Sequence, residues 1–295
     1  MQNYVLITPA HNEELFVEQT FLSISRQTVP PVRWIVVNDG STDQTGKILE
    51  RCRAQRPEMV EVIHLKRPDG RDFGNKVRAF NAGLARAEGL KYAFIGNLDA
   101  DISLQPEYYE RILAEFGNDA GLGIAGGMVS SCIDGKFVRQ DVSLDSVAGA
   151  VQLFRRACFE GIGGYLALPN GGIDAAAEIM ARKSGWKVST FPEISVLEHR
   201  RTGTATTHPL VARIREGRRL HSLGYGFVFF TMRCVRRSME QPRLIGSIAA
   251  FCGYLGALVK RDPITLPPDV VAYLRREQRG KLIRALRQAA SIDRP

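Results

Sequence analysis

Acids are scarce in the last third of this 295-residue chain. Residues 200–295 hold 19 Lys+Arg against six Asp+Glu, a net of +13, while residues 1–199 hold 21 against 25, a net of −4. The overall +9 therefore belongs to the C-terminal segment. Such a segment suits nucleic acid, an anionic membrane surface or an acidic substrate. Cysteine is sparse too: Cys52, Cys132, Cys158, Cys234 and Cys252 are odd in number and lack metal-like spacing. That argues against a disulfide framework and points to a reducing compartment. No basic n-region precedes the apolar run from Tyr4, so no secretory leader is expected. A spanning helix needs roughly 20 apolar residues. The longest uncharged run, Leu244 to Val259, has 16 and contains three glycines. There is no internal repeat and no low-complexity tract.

What is present is alternation. Residues 4–8 read as a buried strand stopped by Pro9, and a helix follows to about residue 27. Residues 33–37 are a second strand, closed by Asn38-Asp39-Gly40-Ser41-Thr42-Asp43, a turn rich in capping residues. A helix to about residue 55, a strand at 60–65, a helix at 76–88 and a strand at 92–98 continue the pattern. Strand and helix in such short alternation predict a Rossmann-like α/β core, a doubly wound and mostly parallel sheet. The spacing predicts a helix over 101–120, strands over 128–132 and 148–155, and a loop or hairpin over 134–146. A helix over 175–184 and two short strands, 188–191 and 195–197, precede an aperiodic loop at 202–208. Beyond residue 209 the texture turns basic and aromatic, ending in a basic amphipathic helix over 269–290. Residues 1–208 are expected to form one domain and residues 209–295 a helical extension.

Two features of that core carry chemistry. The strand at 92–98 ends in Asp99-Ala100-Asp101. In open α/β sheets, ligands sit beyond the carboxyl ends of strands. Two carboxylates there repel each other unless a cation lies between them. Mg²⁺ typically takes one or two carboxylates and completes its shell with phosphate oxygens and water, so a cation–diphosphate site fits. The second feature, Gly121-Leu122-Gly123-Ile124-Ala125-Gly126, matches a dinucleotide fingerprint by letter only. The fingerprint opens a helix directly after a strand. Here a helix precedes it and a strand follows, which rejects a nicotinamide or flavin site.

Pro9-Ala10-His11-Asn12-Glu13, Val37 to Asp43, Leu98 to Asp101 and Gly172-Ile173-Asp174 occur in that order. Together they resemble the motifs of inverting family-2 glycosyltransferases of the GT-A fold, over residues 4 to about 201. The C-terminal third is similar, less specifically, to the tails of bacterial members acting on lipid-linked saccharides. The resemblance implies a nucleotide-diphosphate sugar donor (UDP, GDP or dTDP) and Mn²⁺ or Mg²⁺ as cofactor. Pro9, Glu13 and Asp39 would contact base and ribose, and Lys76 would lie near the nucleotide or diphosphate. Asp99 would serve ribose and metal, and Asp101 would bind the metal. His11 and Ile173 depart from the residues the family often has there.

An inverting transfer needs a general base at the acceptor and positive charge on the leaving group. Asp174, at a helix N-terminus, is the candidate catalytic base, with Glu178 as second choice. His199 is a candidate third metal ligand. Arg200 and Arg201 could clamp the diphosphate, and Gln152 could face the acceptor. The expected acceptor is a lipid-linked or growing surface glycan. Two rivals stand beside this reading, a sugar-1-phosphate nucleotidyltransferase and a non-catalytic scaffold. The basic C-terminal segment is expected to sit peripherally on an anionic membrane, at the cytoplasmic face of the plasma membrane, or to form a homo-oligomer interface. It shows no basic–aromatic nucleic-acid module.

Overall fold

The structure, a computed structural model, describes residues 3–66, 74–133, 135–200, 208–239 and 243–292. Its first unit is built on β1 (Tyr4–Ala10), a strand buried on both faces. Such burial requires neighbours on either side and apolar residues at successive positions. β1 pairs in parallel with β2 (Arg33–Asp39) and with β4 (Phe94–Asn97), and β2 pairs in parallel with β3 (Val60–Leu65). The crossovers are α1 (Val17–Ser25), α2 (Thr45–Gln55) and α3 (Gly74–Arg86). Beyond them come β5 (Ile102–Leu104), α4 (Tyr108–Asn118), β6 (Leu122–Ile133), β7 (Lys136–Arg139) and β8 (Leu153–Arg155). The unit closes with α5 (Arg156–Gly161), α6 (Ile173–Lys183) and β9 (Lys187–Glu198).

The nine strands form one sheet in the order β3-β2-β1-β4-β8-β6-β9-β5, with β7 on β6. β1 to β4, β6 and β9 run one way, while β5, β7 and β8 run against them. The sheet is therefore mostly parallel, as the alternation predicts. Successive β1 side chains feed opposite cores, as a period of two requires. Tyr4 and Leu6 join α1, α2 and α4 on one face, whereas Val5 and Ile7 join α3, α5 and α6 on the other. Each large apolar side chain so buried contributes roughly 1.5–3 kcal/mol. All five cysteines are free thiols.

Several local expectations change. The helix expected over 101–120 begins only at Tyr108, because Ile102–Leu104 pairs antiparallel with β9 as an edge strand. Three residues are too few for a periodicity to register. The glycine run at 121–126 opens no helix, as expected, since residues 122–126 lie inside β6. β7 pairs antiparallel with β6, in keeping with the hairpin, one of the two forms expected over 134–146. The two strands expected over 188–197 are a single strand whose register on β6 shifts between Gly127 and Met128. Only Leu153–Arg155 of the stretch expected over 148–155 is strand. β1 also runs one residue past Pro9.

The chain divides into two compact units, Met1–Pro169 with Ile173–Thr202, and Asn170–Gly172 with Gly203–Pro295. The Asn170–Gly172 turn groups with the C-terminal residues. The second unit holds α7 (Pro209–Ser222), α8 (Phe227–Arg236), α9 (Ile245–Val259) and α10 (Pro268–Ile292). α7 and α9 cross at Gly217 and Gly253, where a Cβ would run into the carbonyls of Ala250 and Ile214. The uncharged run at 244–259 therefore packs on α7 through small residues. Its outer side leaves Ile245, Ile248, Leu255, Leu258 and Val259 exposed. Among the described residues, no helix is long and apolar enough to cross a membrane.

Candidate active site

The carboxyl ends of β1, β2 and β4 lie side by side, and the loops leaving them interlock. Asn12, at φ 55°, turns the β1 loop so that its Oδ1 accepts from the Thr42 backbone at 2.9 Å. Asn tolerates that left-handed conformation better than most residues. Ser41 Oγ accepts from Asn12 N at 3.0 Å, and Thr45 Oγ1 from Glu13 N at 2.7 Å. His11 Nδ1 lies 2.8 Å from the Asp39 carbonyl. Short polar residues here hold backbone groups that no strand or helix satisfies.

Three acid–base pairs project from this edge. Arg200, just past β9, grips Glu13 with two nitrogens at 3.1 and 2.7 Å. Arg78, in α3, reaches the buried Asp39 at 2.5 Å. Lys76, two residues earlier, reaches Asp99 at 2.6 Å. Burial opposes the charge on Lys76, but Asp99, with Asp174 and Asp101 nearby, raises its pKa above the ordinary value. Asn97 Nδ2 also donates to Asp99 Oδ1 at 3.2 Å. Pro9 lies in β1, in register with Val37.

Among the described residues, the cations do not balance the acids. Burial first, then Asp99, Glu13 and Glu198, push the Asp101 carboxyl up to about 8, against the pull of Arg200. Burial likewise pushes Glu13 up to about 7, with Arg200 again opposing. Excess negative charge is thus gathered around Asp101. Buried polar atoms without a protein partner also collect here: Asn75 Nδ2, Arg78 Nε and Asn97 Oδ1. Such atoms are rare in a folded interior and call for an explanation, and a polar ligand supplies one.

Asp174 sits in the first turn of α6. Gly149 packs against its carboxylate so closely that a Cβ there would fall 2.8 Å from Oδ2. The Gly149 carbonyl accepts from Asn97 Nδ2, and the Ala150 carbonyl from Asp99 N at 2.9 Å. One backbone segment thus ties the Asp99 end of β4 to Asp174.

Three expectations are revised. Gln152 does not face an acceptor, since it is fully buried. Its Nε2 donates to Glu178 at 3.2 Å, and its Oε1 accepts from Tyr165 at 2.8 Å. Glu178 is no exposed alternative base. It is buried and accepts from Val147 N at 2.7 Å and Ser146 Oγ at 2.9 Å. His199 lies 2.7 Å from Ser103 Oγ and stacks on Phe16, and burial lowers its pKa. Among the described residues, no group of three or more His, Cys, Asp or Glu is arranged to hold a metal. His199 is thus not gathered with Asp99 and Asp101 into a three-ligand cluster. Arg201 lies outside the described residues, as do residues 202–207 of the loop expected over 202–208. Sequence reasoning passed over Arg78, which spacing alone does not separate from the solvated face of α3.

With this geometry established, likeness to other proteins can be placed on it. The family model Glycosyl transferase family 2 matches residues 5–163. The glycosyltransferase EpsJ of Bacillus subtilis (strain 168) is 33% identical over 110 residues, 37% of this chain and 29% of its own length. The match thus spans less than a third of that relative. Among solved structures, S. aureus TarS 1-349 in complex with UDP-GlcNAc is similar at a TM-score of 0.55. It shares 16% identity and covers 86% of this chain and 71% of its own. Mannosyltransferase PcManGT from Pyrobaculum calidifontis, in complex with GDP-Man and Mn²⁺, reaches 0.57 at 16% identity, over 99% of this chain and 81% of its own. At such identities the likeness is one of fold, and the fold is the GT-A sheet expected from the motifs.

Proposed function

The chain belongs to glycosyl transferase family 2, and we propose that it transfers a sugar, with inversion, from a nucleotide-diphosphate donor to a glycan or lipid-linked acceptor. The observation that carries this reading is the row of paired residues at the β1, β2 and β4 ends: Glu13–Arg200, Asp39–Arg78 and Lys76–Asp99. A donor's base and ribose have Pro9, Asp39 and Arg78 beside them, and its diphosphate has Lys76 and Arg200. Arg200 presents a planar fork suited to phosphate oxygens. TarS and PcManGT, which share the fold, bind UDP-GlcNAc and GDP-Man.

In the reaction the acceptor hydroxyl attacks the anomeric carbon, and the bond from that carbon to the diphosphate oxygen breaks. Asp174 accepts the hydroxyl proton. Lys76 and Arg200 bind and orient the diphosphate as its charge grows. The donor set around Asp101 fits a divalent cation, because burial and three carboxylates make its ionisation costly without one. Asp99 and Asp101 would hold Mg²⁺ or Mn²⁺, and the ion supplies positive charge to the leaving diphosphate. PcManGT carries Mn²⁺ with its donor. We assign the exposed apolar residues and basic charge of the second unit to peripheral contact with an anionic membrane at its cytoplasmic face.

The test is a panel of UDP-, GDP- and dTDP-sugars, scored by thermal shift and by release of nucleotide. Asp174→Asn is expected to lower kcat at least 100-fold while donor binding stays within twofold. Asp101→Ala is expected to abolish metal-dependent donor binding. Near-normal kcat in Asp174→Asn would remove Asp174 as the base. Turnover unaffected by EDTA would remove the cation.

A further inference from the structure

The second unit carries a cavity of about 390 Å³ that is open to solvent, within the size range of small-ligand sites. α10 lines one side with Arg275, Gln278, Arg279 and Leu282, spaced i, i+3, i+4 and i+7. Phe227 and Phe229 of α8 and Tyr254 and Leu258 of α9 also line it. The Tyr254 hydroxyl is committed to the Tyr225 carbonyl at 2.6 Å, so that residue offers its ring. Among the described residues, no acid lines the cavity.

Gln278 is the telling residue. It is 3% exposed, in a position that ordinarily holds an apolar side chain. Its Oε1 accepts from the Gly226 backbone N–H at 2.9 Å, which fixes the orientation of the amide. Its Nε2 is then left buried with no partner. Arg275 is anchored through Nε to the Gly224 carbonyl at 3.0 Å, and its two terminal nitrogens make no bond to the described residues. Arg279 is exposed beside it. Three sets of N–H donors therefore stand on one helix stripe, opposite aromatic and aliphatic walls.

We propose that this cavity binds an amphiphile with a phosphate head and a single apolar chain. The guanidinium groups of Arg275 and Arg279 and the Gln278 Nε2 take phosphate oxygens. The rings of Phe227, Phe229 and Tyr254, with Leu258 and Leu282, take the chain. An anion without an apolar body would leave these walls wet, and an uncharged amphiphile would leave the donors unpaired. The site is independent of sugar transfer and is tested without it.

Calorimetric titration of the full chain with n-dodecyl phosphate, below its micelle concentration, reads the site directly. Inorganic phosphate and dodecyl maltoside are the controls. Saturable one-site binding is expected, at least tenfold tighter than either control. Arg275→Ala with Arg279→Ala is expected to weaken it at least tenfold, and both positions are exposed, so the fold tolerates the change. Leu258→Trp, which fills the cavity, is expected to abolish binding. Vesicles of lysophosphatidic acid in phosphatidylcholine, compared with phosphatidylcholine alone, distinguish the source of the ligand. Displacement of the chain from such vesicles by dodecyl phosphate assigns the head to a membrane lipid, and its absence assigns it to a soluble amphiphile. Either result, with monomer binding, upholds the site. Absence of dodecyl phosphate binding, equal binding of dodecyl maltoside, or unchanged affinity in the double arginine variant would overturn it.

Discussion

Gly149 shows how one missing side chain can govern a reacting group. A Cβ there would lie 2.8 Å from Asp174 Oδ2 and 2.9 Å from its Cβ. The second contact is with the root of the side chain, so rotation of the carboxylate does not relieve it. Gly149→Ala must therefore shift Asp174 or its helix turn. Misplacing a catalytic group by about 1 Å can cost on the order of 100-fold in rate. Overpacking costs about 1–3 kcal/mol in stability. Gly149→Ala is expected to lower kcat roughly 10- to 100-fold with little change in nucleotide binding, measured by steady-state kinetics beside a thermal shift with UDP or GDP. A normal kcat would mean that Asp174 does not need this packing. At this scale Asp39, Asp99 and Asp101 are legible, because acids after an apolar run stand out. Arg78 is not, since an arginine in a helix usually faces water and only the tertiary fold swings this one onto Asp39.

Among the elements, α6 carries Asp174 in its first turn and Glu178 one turn on, and the two live in different surroundings. Glu178 is the hub of a buried network with Ser146, the Val147 N–H, Gln152 and Arg182. Burial pushes its carboxyl up to about 7 from 4.5, with Asp174 adding to the rise. The folded pKa exceeds the unfolded one, so between pH 4.5 and 7 the folded chain binds more protons. Stability from this group is therefore greatest in acid and falls as pH rises through that window, by ~3 kcal/mol in all. Glu178→Gln removes the charge and keeps one oxygen to accept from the Val147 N–H and Gln152 Nε2, while the new amide nitrogen donates to Ser146 Oγ instead of accepting from it. It should flatten the decline in urea-unfolding free energy between pH 5 and 7.5, and an undiminished slope would place the penalty elsewhere. Alternation of period reveals β1 to β4 and α1 to α3, because each segment is long enough to show it. β5 and β8, three residues each, are defined by pairing partners distant in sequence, which no local pattern encodes. Gln152 was misread for the same reason: only the sheet and α6 together turn it inward.

For the whole molecule, charge and apolar exposure coincide in one segment. Residues 200–295 carry the net +13. Val228, Met232, Val235, Ile245, Ile248 and Val259 are each more than half exposed. Exposed apolar side chains of this number on α8 and α9 are unusual for a surface in water and mark an interaction face. On the proposed membrane contact, basic residues within and beside those helices, Arg233, Arg236, Arg243, Lys260 and Arg261, would each contribute about 1 kcal/mol toward an anionic leaflet. Under the proposed membrane contact both terms would act together, the apolar side chains entering the interface and the cations meeting head groups. The full chain is expected to float with vesicles rich in phosphatidylglycerol and to stay at the bottom of the gradient with phosphatidylcholine. Raising salt to 0.5 M shortens the Debye length to about 4 Å and should weaken flotation several-fold. Val228→Asp with Ile248→Asp should weaken it at any salt, since both residues are already solvent-exposed and their loss removes insertion rather than packing. If the chain fails to float on anionic vesicles, or floats equally on neutral ones, the electrostatic half of the proposal falls. Unchanged flotation of the double variant would move the contact away from α8 and α9.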